Sequence, residues 1–279
     1  MGASRRGERK PGKSAEIDAQ AIARAVVKDG VDAFPAAYLD EDAMQIRLLS
    51  DHRSDLVAER TRMQNRLRWH LVALCPELEA SVKLRALDQL VVLDRIDRRL
   101  RAMAPAARVR VAREELAHIR RLTRQVTALQ REVHLLVKAH RPLLLAETGC
   151  GPLTAAILIG RTAGAERFAS DASFARQAGV APIPCSSGQQ DRHRLNRGGD
   201  RQLNRALHTI AITRARHDAA TKAYLARKLA EGKTTREAIR CLKRHLARRF
   251  HHILSTPTAP PPKDRPTVTS PPVPIPCLT

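Results

Sequence analysis

The spacing of apolar residues predicts helix along most of the chain. Ile17, Ala21, Ile22, Ala25 and Val26 recur at three- and four-residue steps and share one helical face from Ile17 to Val27. Ser14 stands where an N-cap is expected, and Gly30 and Pro35 break the pattern, so Val31–Leu39 reads as an extended connector. From Asp42 to Leu74 the residues Leu49, Leu56, Met63, Leu67 and Leu74 form a heptad-like seam with Arg, Gln and His between them. Pro76 is expected to end that helix. A second helix is predicted from Glu79 to Met103, and a third from Ala107 to His140. In the third, Leu116, Ile119, Leu122, Val126, Leu129, Val133 and Leu136 follow at steps of 3, 3, 4, 3, 4 and 3, a coiled-coil spacing. Residues 41–140 therefore read as a helical hairpin or a dimerising coiled coil, since packing within a chain and between chains satisfies the same pattern.

Pro142 opens a different region. The turn Gly149-Cys150-Gly151-Pro152 feeds an Ala/Ile/Leu helix, and short helices continue to Leu254 around a polar loop near residues 184–199. Residues 141–254 are predicted to form a compact helical domain. The tail, residues 255–279, holds nine of the 17 prolines and reads as disordered and polyproline-like. Residues 1–13, rich in Arg, Lys and Gly, also read as disordered, which leaves residues 14–40 as a small separate element.

Charge changes this picture of a plain helical protein. Lys and Arg total 50 against 28 Asp and Glu, a formal net charge of +22. Such an excess favours a polyanionic partner. Residues 147–254 carry 20 Lys/Arg and 8 Asp/Glu, so a net +12 sits there. The chain has one Trp, two Tyr and four Phe, too few for an all-β protein or a base-stacking single-strand binder. No apolar run approaches the roughly 20 residues that span a bilayer, so no membrane partner is expected. Five scattered cysteines and the lack of an apolar stretch behind the basic N-terminus point to the cytoplasm.

Three segments could carry chemistry. The turn Gly149–Pro152 resembles the hairpin of a helix–hairpin–helix, in which glycines let backbone amides approach a phosphate; a simple tight turn fits the same residues. Ser186-Ser187-Gly188 lies in the polar loop, followed by Arg192, Arg194 and Arg197. A serine there could attack phosphorus if activated, with the arginines stabilising the charge that develops. A solvated basic loop is the plainer reading. The run Arg236–Arg249 puts Arg240, Lys243, Arg244, Arg248 and Arg249 on the faces of a helix, with Ile239, Leu242 and Leu246 inside, as for a helix that tracks a nucleic-acid backbone.

In order, these segments resemble the transposases of the IS one-ten family of insertion sequences. Thr148-Gly149-Cys150-Gly151-Pro152-Leu153-Thr154-Ala155 is similar to the family's P-G-x-G-P-x-T-A. Phe168-Ala169-Ser170 through Gln177-Ala178-Gly179-Val180-Ala181-Pro182 is similar to its F-x-S…A-x-x-G-L-A-P. Ser187-Gly188 with Arg197–Leu207 is similar to its S-G…R-G-x-x-x-L-R-x-x-L, and Glu59–Leu67 to its E-R-T-x-L-K-N-R-L. The resemblance implies DNA transposition, with DNA and an element-encoded bridge RNA as partners and a homo-oligomer formed through the coiled coil. It makes Ser187 the nucleophile, or Ser186 if the alignment shifts by one residue. Gly149, Gly151, Arg192, Arg194, Arg197, Arg201 and Arg205 are then the candidate DNA contacts.

The family also has a RuvC-like domain whose four acidic residues bind Mg²⁺. Lys13-Ser14-Ala15-Glu16-Ile17-Asp18-Ala19 is similar to its K-[ST]-D-x-x-D-A. Asp18 keeps one acid, but Ala15 stands at the other acidic position, and only 12 residues precede the motif. The expectation is a mainly α chain: a remnant of the RuvC-like α/β domain at 14–40, a coiled-coil hairpin at 41–140, and the serine-carrying domain at 141–254. A truncated copy of this kind is expected to bind no Mg²⁺ and to be catalytically defective. The alternative function is a non-catalytic, oligomerising nucleic-acid-binding fragment.

Overall fold

The computed structural model describes residues 15–33, 39–83, 85–185, 193–194 and 196–256. The chain divides into two units, residues 1–39 and residues 40–279. The first contains helix α1 (Ala15–Asp29) and a 3₁₀ turn at Val31–Ala33. Gly30 takes a φ of +79°, a left-handed conformation that suits glycine, and its amide closes α1 on the Val26 carbonyl at 2.9 Å. Val31–Ala33 is thus a 3₁₀ turn where an extended connector was expected. Ser14, the expected cap, lies outside the described residues.

The second unit is built on two helices of 34 residues, α2 (Glu41–Leu74) and α5 (Ala107–His140), each about 50 Å long. Asp40 caps α2 by accepting from the Ala43 amide at 3.1 Å. Pairs run from Asp40–His140 through Arg53–Gln130 and Arg60–Thr123 to Arg66–Glu115, so the helices are antiparallel. The α5 seam faces α2 within the chain. Leu116, Ile119 and Val133 are fully buried, Leu122 and Val126 nearly so, and Leu129 and Leu136 half-buried. The hydrophobic pairing that the heptads require is thus met in cis.

The far end of this stalk corrects the expectation of a continuous helix from Glu79 to Met103. Helix α3 (Pro76–Ala80) and helix α4 (Leu90–Arg101) are separate, with a 3₁₀ turn at Ala86–Asp88 between them. Pro76, read as a terminator, opens α3 at a first-turn position where its missing N–H costs nothing. The break between them places Val82, Ala86 and Leu87 in a core with Leu67, Leu71, Leu93, Ile96, Leu100 and Leu116. Arg68 donates to the Val82 and Lys83 carbonyls at 3.3 and 3.1 Å, satisfying backbone that helix would otherwise pair. Tertiary burial overrides helix propensity here.

At the near end the stalk enters the C-terminal domain. This comprises α6 (Pro142–Leu145), α7 (Pro152–Thr162), α8 (Asp171–Gln177), a two-stranded antiparallel hairpin of β1 (Ile183–Pro184) and β2 (His193–Arg194), α9 (Arg201–His217), α10 (Ala219–Ala230) and α11 (Thr235–Ser255). Helix α11 reaches Ser255, one residue into the predicted tail; residues 257–279 lie outside the described residues. The core of Leu144, Leu158, Phe174, Leu207 and Phe250 is continuous with Ala43, Ile46, Val133 and Val137 of the stalk. Helix α7 crosses α2 at Gly160, where an added Cβ would lie 2.5 Å from Arg47 Cβ and 2.8 Å from its Cα. Beside that crossing, Arg161 donates to both Asp51 oxygens at 2.9 and 3.1 Å, and the Asp40 amide to the Ala163 carbonyl at 3.3 Å. Among the described residues no helix is long and apolar enough to cross a membrane.

Two predictions follow from this packing. Gly160→Ala raises helix propensity, yet it forces α7 away from α2 and is expected to destabilise the protein by about 1–3 kcal/mol. Thermal denaturation followed by circular dichroism reads this; a raised midpoint would mean that the helices do not approach so closely. The second concerns thiols. Cys150 is buried, and burial pushes its thiol up to about 12, so almost no thiolate forms at pH 8. Cys185 is exposed. Alkylation of the native protein at pH 8 with peptide mapping is expected to modify Cys185 and spare Cys150 until denaturant is added.

Candidate nucleic-acid interface

The resemblance motifs divide into residues that build the domain and residues left to act. Phe168 packs edge-on to Phe174 with ring centroids 5.4 Å apart. Ser170 caps α8 in a reciprocal box with Ser173. Asp200 caps α9 by accepting from the Leu203 amide at 2.8 Å, and Leu203 and Leu207 are fully buried. The first and last parts of the motif region meet at two glycines. A Cβ on Gly199 would lie 2.3 Å from the Gly179 amide nitrogen and Cα, and Gly179 itself has a φ of +66°. No other residue fits both constraints without moving the backbone.

Two asparagines lock this junction. Asn204 Nδ2 donates to the Ala178 and Gly179 carbonyls at 2.9 and 3.1 Å. Asn196 Nδ2 donates to the Arg176 carbonyl at 3.0 Å, while its Oδ1 accepts from the Gly198 amide at 3.0 Å. The Asp200 amide donates to the Gln177 carbonyl at 2.6 Å. The chain from Val180 to Gly198 leaves and returns at one fixed base, where β1 pairs with β2. Ser186, Ser187 and Arg192 belong to this excursion and lie outside the described residues.

A cleft of about 820 Å³ opens beside the hairpin. Its walls are Gly179–Pro182, His193 and Arg194 from the hairpin, Lys233 and Thr234 from the α10–α11 turn, and Glu237, Arg240, Cys241, Lys243 and Arg244 from α11. Among the described lining residues the one acid, Glu237, serves the capping box of α11 with Thr234 and pairs with Arg240 at 3.7 Å. The described lining is therefore strongly cationic. Lys243, read as a residue on the helix surface, is buried; burial pushes its ammonium down to about 8. Its place was legible, since it falls four residues after Ile239 and three before Leu246 on the apolar stripe of α11.

The remaining candidates fall in two groups. Arg194, Arg197, Arg201 and Arg205 are exposed, and none pairs with a carboxylate of the described residues. Arg201 and Arg205, one turn apart on α9, share a face with His208 and Arg216. The turn at Gly149 and Gly151 is separate. Gly149 has a φ of +84°, and a Cβ there would lie 3.1 Å from the Ile210 carbonyl and 3.2 Å from Thr213 Cβ, so its smallness serves packing on α9. Gly151 is the N-cap of α7, exposed and open on its Cβ side. Glu147 anchors the turn through Arg249 Nε at 2.9 Å and Arg214 at 3.4 Å, and the Arg249 bonds hold its carboxyl below the usual range.

Metal ligation does not fit the residues present. Asp18 lies in α1, but Ala15 has a methyl group where the resemblance requires an acid, and a methyl donates no oxygen to Mg²⁺. Among the described residues no group of three or more His, Cys, Asp or Glu side chains converges to hold a metal ion.

Comparison with known proteins agrees with the geometry. Residues 141–226 match the profile of the transposase IS116/IS110/IS902 family, and residues 1–76 match a second transposase profile, the DEDD type of IS110 elements. The chain is 28% identical over 254 residues to the insertion element IS110 uncharacterized 43.6 kDa protein of Streptomyces coelicolor, covering 74% of this chain and 61% of that protein. It is 29% identical over 256 residues to the insertion element IS900 uncharacterized 42 kDa protein of Mycobacterium paratuberculosis, covering 76% of this chain and 64% of that one. The matched region is thus less than two thirds of each relative's length. The first profile spans the glycine junction, the hairpin and α9, and ends before α11. Two profiles of IS110-type transposases, on different segments of the same sequence, show that the chain carries IS110-family transposase domains.

Proposed function

We propose that the chain binds DNA through its basic C-terminal domain in the transposition of an insertion sequence, and that Ser187 occupies the position of the strand-exchange nucleophile. The observation that supports this reading is the glycine junction, which holds the base of the hairpin beside a basic cleft and the exposed arginines of α9, with Ser187 lying in the sequence between the two hairpin strands. In serine chemistry the hydroxyl oxygen attacks phosphorus, a protein–DNA phosphodiester forms, and a deoxyribose hydroxyl leaves. The hydroxyl needs a base and the developing charge needs cations. Arg194 and Arg197, beside the excursion, are suited to the second task, with Ser186 the neighbouring alternative to Ser187. Gly151 and Arg192 join Arg201 and Arg205 as proposed DNA contacts, while the packing of Gly149 gives it a supporting role.

The family's divalent metal supplies activation that Asp18 beside Ala15 does not provide. We therefore read this chain, on its own, as a DNA binder that does not exchange strands. The same observation favours the second reading, a non-catalytic nucleic-acid-binding module. A bridge RNA is the further partner proposed from the family, and the cytoplasm the proposed location. Self-association, if it accompanies binding, uses faces other than the α5 seam, which α2 covers.

Binding and chemistry are tested together with a labelled DNA duplex and Mg²⁺. Contacts to about six phosphates give a slope of about −5 in log K against log salt, and Arg201→Gln with Arg205→Gln reduces it by about 2. Denaturing gels are expected to show no covalent adduct. An adduct that disappears in Ser187→Ala would show the chain to be active, and no binding even at low salt would remove the DNA reading.

A further inference from the structure

Lys243 sits on the floor of the cleft beside the hairpin, with only 6% of its surface exposed. A buried ammonium is costly unless its hydrogens find acceptors. It has three N–H donors. One goes to Asn204 Oδ1, a neutral oxygen; among the described residues there is no further acceptor, and no carboxylate within ion-pair distance. Across from it on α9, His208 is held below its usual range by burial and by Lys243 itself. Arg240 and Arg244 stand one turn apart on the α11 wall, Arg194 faces them from β2, and Lys233 closes the side. Glu237 is the only acid among the described lining residues, and the capping box and Arg240 engage it.

Such a cleft is an anion site with its deepest donor only partly satisfied. We propose that it seats one phosphodiester of a bound nucleic-acid strand, with the Lys243 ammonium as the buried contact and Arg240 and Arg244 as its wall. This rests on the nucleic-acid reading above and names a site within it. A phosphate oxygen supplies the acceptor that Lys243 lacks, and the arginines suit its other oxygens. Arg240, Lys243 and Arg244 lie beyond residues 141–226, the segment that matches the family profile. In the free protein the described residues give the buried Lys243 ammonium one acceptor, Asn204 Oδ1, and a ligand oxygen would supply another.

The test pairs stability with binding. Lys243→Met keeps the length of the side chain and removes the charge. It is expected to leave the unfolding midpoint unchanged or raised, to weaken binding about tenfold, and to reduce the salt slope by about 0.9. Arg244→Gln, on the exposed rim, is expected to weaken binding in the same way without touching the core. Lys222→Gln, exposed on α10 outside the cleft, keeps wild-type affinity. Fluorescence anisotropy uses a labelled DNA duplex and a labelled single-stranded RNA in turn; the strand whose affinity falls is the one in the cleft. If Lys243→Met and Arg244→Gln bind both probes as the wild type does, the proposal is wrong. If Lys243→Met fails to fold, Arg244→Gln decides by the same criterion. A wild-type protein that binds neither probe at low salt refutes the nucleic-acid reading itself, a result distinct from loss in the variants.

Discussion

Gly179 and Gly199 meet backbone to backbone, and the basic cleft depends on that meeting. Neither position has room for a Cβ, and Gly179 also takes a left-handed conformation. The contact brings the end of α8 to the start of α9, so the 19 residues between the two glycines must leave and return at one place. Asn196 and Asn204 then bind the freed carbonyls, and Asn204 offers its remaining oxygen to Lys243. One close approach thereby sets the base of the hairpin, the register of α9 and the position of the buried ammonium on α11. Its cost is small, because glycine needs no strain to adopt it.

The charge of the domain is of two kinds. Arg161, Arg214, Arg248 and Arg249 are paired with Asp51, Glu147 and Asp171, and they join elements rather than face a ligand. Most such pairs contribute little each. The nearly buried Glu147 is the exception, because it draws α9 and α11 onto the turn before α7. Arg194, Arg197, Arg201, Arg205 and Arg244 have no such partner among the described residues. The charge open to a polyanion is thus concentrated along the hairpin, α9 and the first half of α11. Electrostatics of this kind govern encounter and salt response more than fold.

Much of this was legible in the sequence. The heptad steps gave the bounds of α5, and the apolar seam of α2 gave its length, because long amphipathic helices carry a strong periodic signal. The break between α3 and α4 left no Gly or Pro to mark it. It exists because Val82 and Leu87 gain more from the core at the tip than a continuous helix would gain in hydrogen bonds. At the site, the residues of the Gly149 turn fit a phosphate loop or a simple tight turn, and the sequence does not show that Gly149 packs against Ile210 and Thr213 of α9. Lys243 reads with its arginine neighbours as a residue on the helix faces; its position on the stripe of Leu242, Leu246 and Phe250 is the signal that it is buried.

The central claim is that the hairpin base, α9 and the first half of α11 together form the surface that nucleic acid contacts. Hydrogen–deuterium exchange of the full chain, with and without a saturating DNA duplex at low salt, tests it most directly. The account predicts slower exchange in residues 193–205 and 233–244 and no change at the far end of the stalk, residues 67–119. Slowing confined to the stalk, with the two C-terminal segments unchanged while the duplex is bound, would contradict it.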